Sequence, residues 1–212
     1  MNATHDEGVI KYTLDFSHAA PVPASDISGL SELRQKLWRL GLIGQSECRY
    51  GGIGYGNISR RQAVGSNNFL VSGTQTGAIE WLGPQHYSLV TGFDINANRL
   101  SATGPVEPSS EAMTHGVLYE LDPHINVIVH VHAPAIWHHA LIAGWPVTRA
   151  GVSYGTPAMA AEVARLFTST TAPVCRLFVM GGHQDGVFVF ADTLQRAETT
   201  ILQTYAESMQ NT

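Results

Sequence analysis

Two histidines one residue apart, His130 and His132, close an apolar run over residues 125–132 that reads Ile-Asn-Val-Ile-Val-His-Val-His. Isoleucine and valine in quick succession suit a buried strand better than a helix. In a strand, side chains alternate faces, so the two imidazoles project to one side while Val131 packs on the other. Two imidazoles on one face of a rigid strand can supply two vertices of a metal site. Neutral imidazole nitrogen suits zinc, and catalytic zinc takes three protein ligands and keeps one position open. The blander alternative is a pair of hydrogen-bonded histidines near a strand end.

Four further features fall where strands and helices should end, which is where functional groups are commonly presented. They are Gly56-Asn57-Ile58-Ser59, Thr74-Gln75-Thr76-Gly77, Ser109-Ser110-Glu111 and His183. Asn, Thr, Ser and Gly at a helix start offer an anion N–H donors, hydroxyl donors and a favourable dipole. Taken singly, each is more often a turn or a cap. Glu111 alone would be a first-turn carboxylate and His183 a loop histidine. Together they describe a chemistry. Breaking a carbon–carbon bond beside a ketone, or removing a proton there, leaves an enolate whose charge a metal stabilises as a Lewis acid. A nearby carboxylate moves the proton, and a phosphate held at a fixed distance sets the reacting carbon in place.

The elements that must position these residues are legible in outline. Ile27, Leu30, Leu33, Leu37 and Leu40 share one face of a helix from about Asp26, with Ser25 or Asp26 to cap it and Gly41 to end it. Residues 69–71 form a short strand, and 87–93 with 99–103 form a hairpin. Pro108-Ser109-Ser110 opens a helix to about Leu121, with Ser109 or Ser110 as N-cap and Glu111 in its first turn. A helix follows at 135–143, and Pro157 starts another that runs through Phe167. Strands at 177–180 and 187–190 and a last helix over 193–209 complete the chain. Strands in pairs with helices between them predict an α/β protein, a sheet covered by helices on both faces.

Length and composition bound the rest. The 212 residues suffice for one domain, predicted over 25–212, preceded by an arm over 1–24 that holds a weak edge strand within 9–16. Charged residues make up 14% and the formal net charge is −5, with no basic stripe, so neither nucleic acid nor an anionic membrane is an expected partner. A phosphate must therefore be held by backbone N–H groups and hydroxyls. Cys48 and Cys175 lie in no paired spacing and read as reduced, partly buried thiols. No signal peptide or spanning segment is visible, which makes the cytoplasm the expected compartment.

The sequence resembles the class II aldolase/adducin family, the zinc-dependent sugar-phosphate aldolases and their relatives, from about residue 28 to 208. Its most specific matches are Gly56-Asn57-Ile58-Ser59, Thr76-Gly77, Pro108-Ser109-Ser110-Glu111 and His130-Val131-His132. The resemblance implies that His130, His132 and His183 bind Zn2+ or another divalent metal, and that Glu111 is the acid/base. It implies a phosphate held by Asn57, Thr76, Gly77, Ser109 and Ser110. It also implies a three-layer αβα fold with a mainly antiparallel sheet, and a homotetramer with sites at subunit interfaces.

The chain departs from the family pattern in three places. His183 is followed by Gln184-Asp185-Gly186 in place of an immediate glycine, and Asp185 reads as a turn residue or as a partner behind the ligands. The Thr76-Gly77 loop lacks the proline common before it; its Ser72-Gly73 is similar to a dehydratase branch that carries lysine where Thr76 stands. Between His139 and Tyr154 the segment is too short for the tyrosine by which such aldolases protonate substrate across a subunit interface, and Tyr154 matches a structural position. His138 and His139 read as surface or core-edge histidines, and His115 as a packing residue or an orienter of Glu111. Trp137 and Trp145 read as core or interface fillers.

The expected function is a metal-dependent lyase acting on a small phosphorylated keto-sugar or hydroxy-ketone through a metal-stabilised enediolate, by retro-aldol cleavage. The alternatives are an epimerase, decarboxylase or dehydratase on the same metal, an adducin-like assembly module, or a sensor of a phosphorylated ligand.

Overall fold

A computed structural model describes residues 8–210, so the first seven residues of the expected arm lie outside the described residues. Among the described residues, one large sheet holds eight strands. In chain order they are β1 (Thr13–His18), β4 (Asn57–Arg61), β5 (Phe69–Ser72), β6 (Tyr87–Asp94), β7 (Arg99–Gly104), β8 (Val127–His132), β9 (Leu177–Val179) and β10 (Gly186–Ala191). Across the sheet they run β1-β7-β6-β5-β4-β8-β10-β9. A separate two-stranded ribbon pairs β2 (Gly44–Gln45) with β3 (Gly54–Tyr55). Every pairing in the large sheet is antiparallel except that of β1 with β7. Helices cover both faces, as expected. On one side lie α2 (Ala112–Leu121), α4 (Pro157–Ser169) and the short α5 (Ala172–Cys175); on the other lie α1 (Ser28–Arg39), α3 (Pro134–Ala143) and α6 (Leu194–Gln210).

The two faces of β8 show why the sequence alternates as it does. Val127, Val129 and Val131 pack into the core under α1, α3 and α6. Ile128 packs into the opposite core with Val117, Leu118, Val163 and Leu166 of α2 and α4. His130 and His132 share the parity of Ile128, so they emerge on the α2/α4 side, at the end of the strand. Both are fully buried.

The helix ends differ from expectation at two sites. α1 starts two residues after Asp26, behind a 3-10 turn at Ala24–Asp26, and neither Ser25 nor Asp26 caps it; the Ser25 hydroxyl turns instead to the Asp26 carboxylate. At its other end Gly41 has φ +70°, the left-handed turn that stops the helix. α2 starts at Ala112 with Glu111 in the cap position. Ser109 and Ser110 stay outside because their segment is held extended: Ser109 donates its N–H to the Ser72 carbonyl, and Thr74 donates to the Glu107 carbonyl. The Ser109 hydroxyl still accepts the Glu111 N–H at 3.3 Å, just ahead of the helix.

Arg34 is the charged residue that the helical pattern hides. It is buried on α1, and its guanidinium donates to the carbonyls of Thr76, Gly77, Ile79 and Glu80. Trp38, one turn on, donates to the Gly77 carbonyl at 2.9 Å. Helix α1 thus braces the Thr76-Gly77 loop from behind. A peptide whose carbonyl points at Arg34 turns its N–H the other way. The two cysteines, expected to be partly buried, are both exposed, because Cys48 and Cys175 sit in a turn and at the end of a four-residue helix.

Candidate metal centre

Three neighbouring backbones build the site through register. On one flank of β8, Asn57 of β4 lies opposite His130. On the other flank, Gly186 of β10 lies opposite His132 and Phe188 opposite His130. The turn between β9 and β10 therefore delivers His183 beside His132. Its N–H bonds the Met180 carbonyl, and the Gly186 N–H bonds the His183 carbonyl at 3.0 Å. Glu111 arrives from the start of α2.

His130, His132 and His183 each offer a ring nitrogen, and the three atoms lie within 4.8 Å of one another. The Nε2 atoms of His132 and His183 are 3.1 Å apart. Tetrahedral zinc, with Zn–N of about 2.0–2.1 Å, sets two ligand nitrogens about 3.3 Å apart, so this pair is already near ligand spacing. His130 Nδ1 lies 3.2 Å from the Val187 carbonyl, to which it donates, and this fixes the tautomer with the Nε2 lone pair facing inward. That lone pair meets the Glu111 carboxylate, Oε2 at 2.6 Å, while Oε1 is 3.8 Å from His183 Nε2. Neither carboxylate oxygen nor His130 Nε2 completes a well-angled hydrogen bond within the described residues. Buried lone pairs converging this closely need positive charge between them. The residues therefore fit a divalent cation.

Burial also sets the protonation states. It pushes the His183 imidazole down to about 4, against the pull of Glu111, and holds His132 well below the usual range. For Glu111 burial by itself acts upward, but positive charge beside it, a proton on His130 first and on His183 and His115 after it, outweighs burial and holds the carboxyl down at about 2; a divalent ion between the rings would supply the same charge. His115 is itself pushed down to about 3 by burial. Its Nδ1 lies 2.6 Å from the Ser59 hydroxyl, so it packs on the sheet beneath α2.

These depressed histidines predict an acid-sensitive metal-free protein. The unfolded chain takes up their protons near pH 6.5, whereas the folded chain resists until about pH 4 and 3. Their contribution is complete above about pH 6.5 and shrinks as pH falls toward those values. Urea unfolding of metal-free protein should therefore show a lower midpoint at pH 5 than at pH 7.5. A midpoint that rises toward pH 5 would contradict the neutral, buried assignment.

Beside the histidines lies a polar cleft lined by Asn57, Thr76, Gly77, Ser109 and Ser110, with Gly54, Gly56 and Thr74. The structure thus brings together the five residues expected to hold phosphate. Asn57 Oδ1 is buried without a hydrogen-bond partner among the described residues. The Thr76 hydroxyl donates to the Gly73 carbonyl, which shapes the loop. Glycine is required at position 77, because a Cβ there would overlap the Gly44 carbonyl and lie 2.7 Å from the Gly54 Cα.

Some neighbours of the site are not legible in the sequence. Gly8 lines the cleft. Val9 engages the Tyr154 hydroxyl through both its N–H and its carbonyl, each at 3.1 Å. Tyr12 donates to the Ser109 carbonyl at 2.8 Å. The Tyr154 ring stands 5.0 Å from that of His183. Arg49 and Tyr50 pack behind His132, and no periodicity marks them. His138 is exposed and His139 half-buried, each edge-on to a tryptophan and neither in the metal cluster.

Comparison with known proteins identifies the fold and the family. The model of the class II aldolase and adducin N-terminal domain matches residues 49–206. L-fuculose-1-phosphate aldolase from Thermus thermophilus superposes with a TM-score of 0.62 at 18% identity, covering 88% of this chain and 92% of that one. A sugar-phosphate aldolase from Thermotoga maritima gives 0.65 at 14% identity, over 87% and 92%. The N-terminal class II aldolase domain of a Thermoplasma acidophilum protein gives 0.59 at 15% identity, over 91% and 96%. No curated protein sequence matches the chain significantly. At such identities the structures speak for the fold, while the family model spans most of the sequence: the chain belongs to the class II aldolase and adducin family.

Proposed function

We propose that the protein is a metal-dependent lyase that cleaves a small phosphorylated keto-sugar or hydroxy-ketone by a retro-aldol reaction. The observation that carries this reading is the buried Glu111 carboxylate facing the His130 imidazole at 2.6 Å and that of His183 at 3.8 Å, directly after the serines of a polar cleft. His130, His132 and His183 would hold the ion, zinc or another divalent metal. When bound, that ion supplies Lewis-acid stabilisation of negative charge developing on the substrate's carbonyl and neighbouring hydroxyl oxygens.

The remaining work falls to the chain. Asn57, Thr76, Gly77, Ser109 and Ser110 grip the phosphate with amide, hydroxyl and N–H donors, which fixes how far the reacting carbons reach. Glu111, in its base form at neutral pH, accepts the hydroxyl proton as the carbon–carbon bond breaks and then returns it to the carbon that keeps the electron pair of that bond. Burial of the carboxylate keeps bulk water from competing for that proton.

A second reading, epimerisation, decarboxylation or dehydration on the same groups, is favoured by one observation. The Tyr154 hydroxyl is taken up by the Val9 backbone, so the tyrosine nearest His183 does not supply a second acid. An adducin-like module without chemistry is disfavoured, because a scaffold has no physical use for a buried carboxylate facing a histidine lone pair.

The test is an enzyme-coupled assay of aldehyde and triose-phosphate release from a panel of ketose 1-phosphates. Cleavage should vanish after chelation and return with a divalent ion. Metal and phosphate binding without cleavage of any panel member would shift the assignment to the second reading. Binding of neither would refute both.

A further inference from the structure

Behind the candidate ligands, Tyr50 and Asp185 are both non-glycine residues in the left-handed backbone region, with φ +49° and +64°. Aspartate visits that region fairly readily, but tyrosine seldom does, and such conformations persist only where the surroundings over-determine them. Here the two side chains meet: the Tyr50 hydroxyl donates to Asp185 Oδ2 at 2.6 Å, with both residues buried. The contact joins segments 135 residues apart.

Each partner also touches one candidate ligand. The Tyr50 ring stands edge-on to the His132 imidazole, centroids 4.5 Å apart. Arg49 donates to the Tyr50 hydroxyl at 2.7 Å and to the His132 carbonyl at 3.2 Å, and its other nitrogen grips the Gly41 carbonyl and the Tyr55 hydroxyl. Asp185 sits two residues after His183, inside the turn that aims that ring, and its carbonyl accepts from the N–H of Ala133, next after His132. Removing the link would free the His183 turn and the support behind His132 together.

We infer that Tyr50 and Asp185 form a latch that holds His132 and His183 at ligand spacing. They are positioning residues: they touch neither the ion nor the substrate, and act through the two imidazoles. The inference rests on the proposed metal site and goes beyond it by assigning two residues outside the ligand set. Groups that orient metal ligands commonly contribute on the order of 10- to 100-fold in metal affinity.

The test is the zinc dissociation constant, read by competition with a chromophoric chelator, together with the unfolding midpoint of the metal-free protein. Asp185→Gly removes the carboxylate yet suits the left-handed backbone better than aspartate does. Tyr50→Phe removes only the hydroxyl. Each should weaken zinc binding by about 10- to 100-fold, and Tyr50→Phe combined with Asp185→Gly should weaken it no more than the stronger single change. Tyr50→Phe keeps the ring against His132, so it answers even if the glycine variant unfolds.

Zinc affinity within about twofold of the unaltered protein in both single variants, with or without a lower midpoint, would make this an ordinary turn contact and overturn the latch. An unaltered protein that takes up no zinc overturns the latch and the proposed function together. The two failures are therefore distinguishable.

Discussion

Glu111→Gln should cost turnover by about 10²- to 10⁴-fold and leave the metal content of the protein unchanged. The substitution keeps the shape of the side chain and removes its charge and its capacity to take a proton. It should also fold. The inward lone pair of His130 Nε2, fixed by the Nδ1 contact to the Val187 carbonyl, can accept from the new amide where it now faces Oε2 at 2.6 Å. The measurement is kcat for cleavage of whichever phosphorylated hydroxy-ketone the panel identifies, with elemental analysis of the same preparation. Turnover equal to that of the unaltered enzyme would remove Glu111 from its role. Loss of the metal together with turnover would make it a ligand rather than the proton acceptor.

Gly77→Ala should damage the anion cleft and spare the metal. The added methyl group would overlap the Gly44 carbonyl and crowd the Gly54 Cα at 2.7 Å. Both neighbours are backbone, so no side chain can rotate away. The loop cannot retreat either, because Arg34 and Trp38 hold its carbonyls from behind. Either the β2–β3 ribbon or the loop must shift, and forced overpacking of this kind typically costs about 1–3 kcal/mol. KM for the phosphorylated substrate should rise at least about tenfold, the equivalent of about 1.4 kcal/mol of lost binding, with metal content unaltered. Steady-state kinetics and elemental analysis check both halves. An unchanged KM would place the phosphate elsewhere.

Much of this site is legible in the sequence because it follows from short-range pattern. The β-branched run ending in His130 and His132 sets both a strand and the face of its two imidazoles. Pro157 opens α4 as expected, with Thr156 accepting from the Met159 N–H as its cap. The hairpin of β6 and β7 falls where its turn residues place it. Legibility ends where distant backbone decides. Ser109 and Ser110 look like the caps of α2, and Ser109 does accept the Glu111 N–H, but their segment is also tied to Ser72 and Thr74, far earlier in the chain, and the helix starts only at Ala112. Arg34 falls four residues after Leu30 and three before Leu37, on the apolar face of its helix, and only the carbonyls of residues 76–80 show how a charge is satisfied there. Tyr50 gives no hint of a left-handed backbone, and Asp185 reads equally as a turn residue or as a partner behind the ligands until Tyr50 is seen to meet it. Those are tertiary facts, and no local propensity encodes them.

The most direct test of the account is the metal content of the purified, untagged protein by elemental analysis, beside that of His130→Ala. The geometry predicts about one zinc or other divalent ion per chain, and a nearly complete loss when the imidazole is removed, because a three-histidine site rarely survives on two. Unaltered protein that carries no ion and takes up none when offered zinc would contradict the central claim. So would a His130→Ala protein that keeps its full complement.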